Sequence, residues 1–345
     1  MTRDGIICGG CWLVDKTKIV DHWPKEETVA RILESTSHGG GPAMNIAVNL
    51  KRLGGKFPVV AVGAIGDDTE GAYLLDVCKR HDIDNTNLVT MVGTTTSFTD
   101  VMTSMETGKR TFFHAQGAGA LLTPASFDFT KLPPTRIFHL GAPGIHDGLD
   151  VPRGDHANGW AATLKTAQKA GYQTNMELIS LLPERLAELA LPCLEHLDTI
   201  IINDVEVGAL AGMTTVIDGV TQLEMVEQAT RKVLSMGVKR MASVHFPGGC
   251  MVARPGEPVL AWPSVKVPAE EIKSAVGAGD AFAAGLMFGY LDGWPIENSV
   301  ALANGAAAAC LCSLSTNEAI GTVEECLSLA ERWGWREKIL GAIED

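Results

Sequence analysis

Short apolar runs alternate along this chain with longer stretches in which apolar residues recur every three or four positions. Gly5-Ile6-Ile7-Cys8 reads as a first strand. Residues 42–53 read as a helix, with Pro42 at its first position and Gly54 just past its end, the placement each residue favours. The run Pro58-Val59-Val60-Ala61-Val62 predicts a buried strand, and 70–81 a helix. The alternation returns as strand 136–140, helix 159–170, strand 199–202, helix 223–236 and strand 240–244. Strands that are apolar at nearly every position, separated by amphipathic helices, indicate a parallel sheet covered on both faces. The pattern therefore predicts an α/β, doubly wound, mostly parallel sheet flanked by helices.

Two stretches break that rhythm. Residues 13–37 have alternating and polar character, and 95–115 predicts a hairpin, 97–105 and 110–115, turned by Glu106-Thr107-Gly108-Lys109. A small antiparallel sheet built from insertions at about 11–38 and 95–115 would form a β-sheet lid on a single domain spanning 1–345. Near the C-terminus, Thr322 and Glu325 fit a capping box, with Val323, Leu327 and Ala330 on one face of the helix that follows. Neither an internal repeat nor a low-complexity tract is present.

Composition narrows the function classes. Of 345 residues, 46% are hydrophobic and 20% charged, enough apolar material for a large core. The net charge of −13 argues against a surface that neutralises nucleic-acid phosphates. The weakly polar run 300–312 is short for a membrane span and is interrupted by Asn304. The first residues lack the apolar core of a secretory signal, and eight cysteines do not make a disulfide scaffold of a chain this long, so a reduced cytoplasmic setting is expected.

Three stretches carry candidate chemistry. In Ser274-Ala275-Val276-Gly277-Ala278-Gly279-Asp280, small residues lead into the apolar helix 282–291. They let the backbone approach a ligand, and the helix N-terminus favours an anion such as phosphate. Asp280 at that end complements the helix dipole, or acts as a general base toward a hydroxyl attacking a phosphoryl group. In Gly39-Gly40-Gly41-Pro42-Ala43-Met44-Asn45, glycines precede a proline-initiated helix that places Asn45, Asn49 and Arg52 on one face. That face reads as solvated at Asn49 and Arg52, whereas Asn45 lies beside the glycines. In Ile200-Ile201-Ile202-Asn203-Asp204-Val205-Glu206 a strand ends, and Asn203 and Glu206 share one face of the opening helix. This is an ordinary helix start, or a pair of oxygen ligands suited to water-mediated Mg²⁺.

Taken together and in this order, the three motifs resemble the PfkB/ribokinase family of carbohydrate and nucleoside kinases, along with Gly66-Asp67-Asp68 and Gly71. The resemblance runs from about residue 5 to 330 and implies a ribokinase-like fold. It implies that Asp280 is the catalytic base and that Gly277, Ala278 and Gly279 form an anion hole. Asp15, Gly40, Gly41 and Asn45 would grip sugar hydroxyls. Asn203 and Glu206 would organise Mg²⁺ and the triphosphate of ATP, with Glu206 reaching the metal through water. Val244 to Gly249 would form a nucleotide-side loop, and Asn304 and Ala307 would lie beside the adenine. Two departures stand out. Ser274-Ala275 replaces the Asp-Thr that in many members helps hold a monovalent cation, which argues against K⁺ activation; Phe246 replaces the usual first glycine of the nucleotide loop. The expected activity is ATP-dependent phosphorylation of a small-molecule sugar, without nucleic-acid or membrane partners, in a chain whose exposed lid could pair across a homodimer. The alternatives are a nucleoside kinase, with Trp12, Trp23 and Phe98 available to sandwich a base, and an inactive sugar- or nucleotide-binding regulator. No glycine fingerprint of a dinucleotide-dependent dehydrogenase follows the first strand.

Other residues carry weaker readings. Cys8 with Cys11, and Cys310 with Cys312, read as small core residues. His139, His146, Asp147, Asp155 and His156 form a loose cluster near a strand end, and the Gly- and Pro-rich loop 141–159 could line a pocket. Asn175 and Glu177, after another strand, are candidates for the pocket or a metal, and Lys109 and Arg110 for an anionic substrate or a solvated turn.

Overall fold

A computed structural model describes residues 3–337 and 339. Its strands are, in chain order, β1 (Ile6–Gly10), β2 (Leu13–Val20), β3 (Ile32–Gly40), β4 (Val59–Gly66), β5 (Asp84–Met91), β6 (Phe98–Ser104), β7 (Arg110–Ala115), β8 (Ile137–Gly141), β9 (Gln173–Met176), β10 (Thr199–Asn203), β11 (Val216–Ile217), β12 (Val220–Thr221), β13 (Met241–Phe246), β14 (Gly249–Ala253) and β15 (Leu260–Pro263). The helices are α1 (Pro42–Arg52), α2 (Thr69–Arg80), α3 (Asp147–Asp150), α4 (Gly159–Lys169), α5 (Pro183–Ala190), α6 (Asp204–Ala211), α7 (Leu223–Ser235), α8 (Ala278–Leu291), α9 (Ile296–Leu311) and α10 (Val323–Trp333).

The large sheet has the order β15-β14-β13-β10-β9-β8-β1-β4-β5. Its seven strands from β13 to β5 pair in parallel, and β14 and β15 add antiparallel at one edge. Successive side chains on a strand face opposite sides, and the core divides accordingly. Ile6 and Cys8 join the layer containing α1, α2, α8 and α9, whereas Ile7 joins the layer containing α4 to α7. Ile201 and its neighbours Ile200 and Ile202 divide the same way. Helix α8 is apolar on every side because it lies inside its layer, against both α1 and α9. The chain grows outward from β1 in both directions, so the β1/β8 boundary is a switch point, where clefts open at the carboxyl ends of the strands.

The expected doubly wound, mostly parallel sheet with a small lid is the fold observed, with three corrections of detail. The lid, ordered β3-β2-β6-β7, is mixed rather than antiparallel, since β2 and β6 run parallel. Both leave the same end of the parallel core, β2 after β1 and β6 after β5, and so rise in one direction. From the sequence, Ser264 to Val267 reads as β-like; the strand is β15, four residues earlier, and its ladder with β14 ends at Pro263, which has no N–H to extend it. Asn49 is fully buried instead of solvated, because α1 is covered by the sheet on one side and α8 on another. Arg52 lies at the edge, donating to the carbonyls of Glu318 and Ile320. The capping box at Thr322 and Glu325 forms as expected.

Candidate active site

The lid covers the carboxyl ends of the core strands, and between them lies a cleft of about 580 Å³. Of the residues singled out from the sequence, Asp15, Gly41, Asn45, Arg110, Glu177, Asn203, Glu206, Gly277, Gly279 and Asp280 line it. These come from segments far apart in the chain and meet because β1, β9, β10 and the turn before α8 all end on the same side of the sheet, under the lid.

The floor of the cleft is the start of α8. Gly277 precedes the helix with φ +78°, a left-handed conformation that glycine adopts freely, and a Cβ there would lie 2.6 Å from Thr316 Cβ. No side chain caps the helix, and the N–H groups of Gly279 and Asp280 have no acceptor among the described residues. These free donors and the positive end of a 14-residue helix suit a negatively charged oxygen.

Asp280 is held from two sides. Asn45 Nδ2 donates to Asp280 Oδ2 at 2.5 Å, and Thr316 Oγ1 donates to Asn45 Oδ1 at 2.9 Å. Glu177, at the end of β9, also hydrogen-bonds Asp280. Two carboxyl groups in such contact share a proton, and Glu177 carries it: burial first, then the charge of Asp280, pushes it well above the usual carboxylate range. Its Oε2 is buried and without a partner among the described residues. Burial also raises Asp280, while the hydrogen bonds from Asn45 and Glu177 oppose the shift.

Two further carboxyls complete the acidic half. Asp15 is pushed up to about 7 by burial and then by the charge of Asp280. It has room only because residue 40 is glycine; a Cβ there would lie 2.1 Å from Asp15 Oδ2. Glu206 is pushed up to about 7, chiefly by burial. Asn203 and Glu206 form a reciprocal capping box, with Asn203 N to Glu206 Oε2 and Glu206 N to Asn203 Oδ1 both at 2.9 Å. The helix-start reading therefore holds, and it fixes the Glu206 carboxyl at the cleft with Oε1 outside the box. No Lys or Arg forms an ion pair with Asp15, Glu177, Glu206 or Asp280 among the described residues. Crowded carboxyls of this kind favour a bound cation, and an oxygen-only donor set suits Mg²⁺ held largely through water and phosphate.

Other expected site residues lie elsewhere. Gly40 and Ala278 flank the cleft without lining it. Val244 is wholly buried in β13, and Gly249 starts β14. The Asn304 amide donates to Val300 O and Cys250 Sγ inside α9, and Ala307 is on the same helix; neither lines the cleft. Asn175 is tied to His139 Nδ1 at 2.7 Å and to Thr199, behind Glu177. The histidines around 139–156 do not converge, and no metal-holding group of three or more His, Cys, Asp or Glu occurs among the described residues. All eight cysteines are free and seven are buried. Trp12 is buried with Nε1 donating to Cys8 O, Trp23 stacks on Phe113, and Lys16 sits over Phe98, so none of the three lines the cleft.

Sequence reasoning missed several lining residues. His245 follows Val244 at the end of β13 and packs against Phe282; burial pushes it down to about 4, so it is neutral at physiological pH. Thr99, Phe112 and His114 line the cleft from the lid, beside Arg110, which the sequence did single out. The period-two spacing of 110, 112 and 114 along β7 was the available signal.

Residues 11–322 match the pfkB family carbohydrate kinase model. The chain belongs to the pfkB family of carbohydrate kinases. Membership makes it a phosphotransferase that acts on a sugar hydroxyl. Among relatives, it is 27% identical over 298 residues to a 1-phosphofructokinase of Rhodobacter capsulatus, covering 84% of each chain. It is 27% identical to a probable fructokinase-7 of Arabidopsis thaliana, covering 83% of this chain and 79% of the relative. Its fold is similar to ribokinase from Thermotoga maritima, with TM-score 0.76, 21% identity and coverage of 96% of this chain and 100% of the other. An Arabidopsis thaliana ribokinase complexed with ribose and ATP superposes with TM-score 0.75 at 19% identity, covering 95% and 99%. That ribokinase, which shares this fold, was solved with ATP bound. No helix among the described residues is long and apolar enough to cross a membrane.

Proposed function

We propose that this kinase transfers the γ-phosphoryl group of ATP to a hydroxyl, a primary one, of a sugar or sugar-like molecule, with Asp280 as general base. The observation that carries this reading is the placement of Asp280 beside unsatisfied N–H groups at the start of α8, in the cleft that Asp15 also lines. The acceptor hydroxyl gives its proton to the Asp280 carboxylate as its oxygen bonds to the γ-phosphorus and ADP leaves. Charge on the transferring phosphoryl oxygens is met by the Gly277-Ala278-Gly279 turn, chiefly by the free N–H of Gly279 with that of Asp280, since the Ala278 N–H also donates to Ala275 O at 3.4 Å. Asn45 orients the base as well as lying within reach of substrate, while Asp15 and Gly41 hold sugar hydroxyls. Glu206, fixed by Asn203, is the residue that would hold Mg²⁺. When bound, that ion neutralises phosphate charge. The lid excludes water, which would otherwise accept the phosphoryl group.

The relatives' names, fructokinase and 1-phosphofructokinase, put a fructose-like sugar or its phosphate first among substrates to try. A nucleoside is disfavoured because Trp12, Trp23 and Phe98 form no sandwich at the cleft. The test is ADP formation with and without sugar. Sugar-dependent ADP release that EDTA abolishes and Mg²⁺ restores supports the proposal. Tight ligand binding with no ADP from any acceptor would point to the regulator instead.

A further inference from the structure

The cleft has two poles. Asp15, Glu177, Glu206 and Asp280 crowd one end, whereas the lid contributes a cation. Arg110 opens β7, and its register partner is Thr103; two rungs along, Val101 faces Phe112, and two further on, Thr99 faces His114 and Asp15. Alternate residues of a strand share a face, and Arg110, Phe112 and His114 all line the cleft. Trp23, Phe113 and the Lys18–Asp100 pair belong to other positions of the lid and do not line it.

Arg110 is the lid cation that is both half-buried and unpaired among the described residues, Lys25 and Lys109 being unpaired but exposed. Lys16 pairs with Glu70, Lys18 with Asp100 and Arg31 with Asp21. Arg110 has neither an ion pair nor a side-chain hydrogen bond among the described residues, although it is half-buried. Burial lowers its pKa, and no carboxylate of the acidic floor pairs with it among the described residues. At about 3.3 Å per residue, the Arg110 rung lies ~13 Å along the lid from the rung of Asp15 and Thr99. The intervening space is lined by Phe112 and by His114, whose Nδ1 bonds Thr99 Oγ1 at 3.1 Å and whose Nε2 is buried and unpartnered among the described residues. A guanidinium withdrawn from water without a partner is costly, and its planar fork suits a carboxylate or phosphate.

We propose that the substrate is a sugar bearing an anionic group, a carboxylate or a phosphate, on the end remote from the hydroxyl that is phosphorylated, and that Arg110 is the counter-ion seating it. This rests on the kinase reading above for the position of the acceptor hydroxyl. The polarity of the cleft then orients the ligand: hydroxyls toward Asp15 and Asp280, the anion toward the lid. It also disfavours the reverse orientation, which would set substrate charge against four carboxyl groups.

The test compares matched pairs: a ketohexose against its monophosphates, and aldoses against the corresponding aldonic and keto-aldonic acids. Each is assayed for kcat/KM with ATP and Mg²⁺ and by titration calorimetry without nucleotide, using wild type, Arg110→Gln and Arg110→Lys. The expected result is at least a tenfold preference for the anionic member of one pair, expressed in KM. In Arg110→Gln that preference collapses to within about threefold, in Arg110→Lys it is partly retained, and ATP affinity is unchanged in both. The acid and phosphate arms tell which anion is meant. A preference for neutral sugars, an anionic preference that survives Arg110→Gln, or a loss confined to ATP affinity would overturn the inference. Should no compound be phosphorylated, the kinase reading fails and calorimetry still decides this one: tighter binding of an anionic member, lost in Arg110→Gln, supports it, and equal binding overturns it.

Discussion

At the scale of single residues, the site is held in an electrostatically costly state, and its pH dependence shows it. Burial, then the charge of Asp280, pushes Asp15 from an ordinary 3.8 up to about 7. As a hydroxyl acceptor it must be ionised, so KM for the sugar should rise as pH falls from 8 through 7 to 6. Stability runs the other way. The folded state holds this proton more tightly than the unfolded chain, so Asp15 costs nothing below about pH 4 and destabilises progressively as pH rises toward 7. Asp15→Asn should therefore weaken sugar binding yet raise the melting temperature at pH 8, with the gain gone by about pH 4; a lower melting temperature at pH 8 would contradict the assignment. Glu177 is protonated and donates to Asp280, so Glu177→Gln should keep most of kcat because the amide still donates. Glu177→Ala should lose roughly 10- to 100-fold, the scale of loss when a supporting shell is removed. Equal kcat in the two variants would show that the hydrogen bond plays no part.

Among elements, the decisive pieces are the turn before α8 and the strand pair that seats Asp15. Gly277→Ala must adopt φ +78° and also meet Thr316, so it should cost about 1–2 kcal/mol of stability and slow turnover by displacing the anion-binding N–H groups. Thermal unfolding and kcat measure the two effects, and a variant unchanged in both would remove the turn from the mechanism. Most of this layer was legible in the sequence. Pro42, Gly54, the capping residues Thr322 and Glu325, and the run Ile200-Ile201-Ile202 mark element ends through local chemistry. The direction of β6 against β2 was not, since it depends on which end of the core each strand leaves. Asn49 misled because a helix covered on two sides has no solvated face. Asp15, Asn45, Asn203, Glu206 and Asp280 were recognisable as motifs and the alternation of Arg110, Phe112 and His114 along β7 was readable, whereas which face of β7 turns inward and the contact of Glu177 with Asp280 arise only when the lid and distant strand ends come together.

In the molecule as a whole, the lid has one more role open to it. Its outer strands β3 and β7 are free edges, and Trp23, Ile32, Leu33, Phe112 and Phe113 are exposed on or beside them. Unpaired edges with apolar side chains are a template for pairing with a second copy. Light scattering should give twice the 36.6 kDa of one chain, and Phe113→Asp should return it to one; a monomeric wild type would leave the lid to act alone. The central claim is that Asp280, at the start of α8, accepts the proton of a sugar hydroxyl during phosphoryl transfer from ATP. Mass spectrometry of wild-type and Asp280→Asn reactions with ATP, Mg²⁺ and a panel of neutral and anionic sugars tests it most directly. With wild type, one acceptor should gain a single phosphate, and Asp280→Asn should lower the rate roughly 10²–10⁴-fold at unchanged ATP affinity. Phosphorylation by Asp280→Asn at the wild-type rate, or no phosphorylated acceptor from wild type, would contradict it.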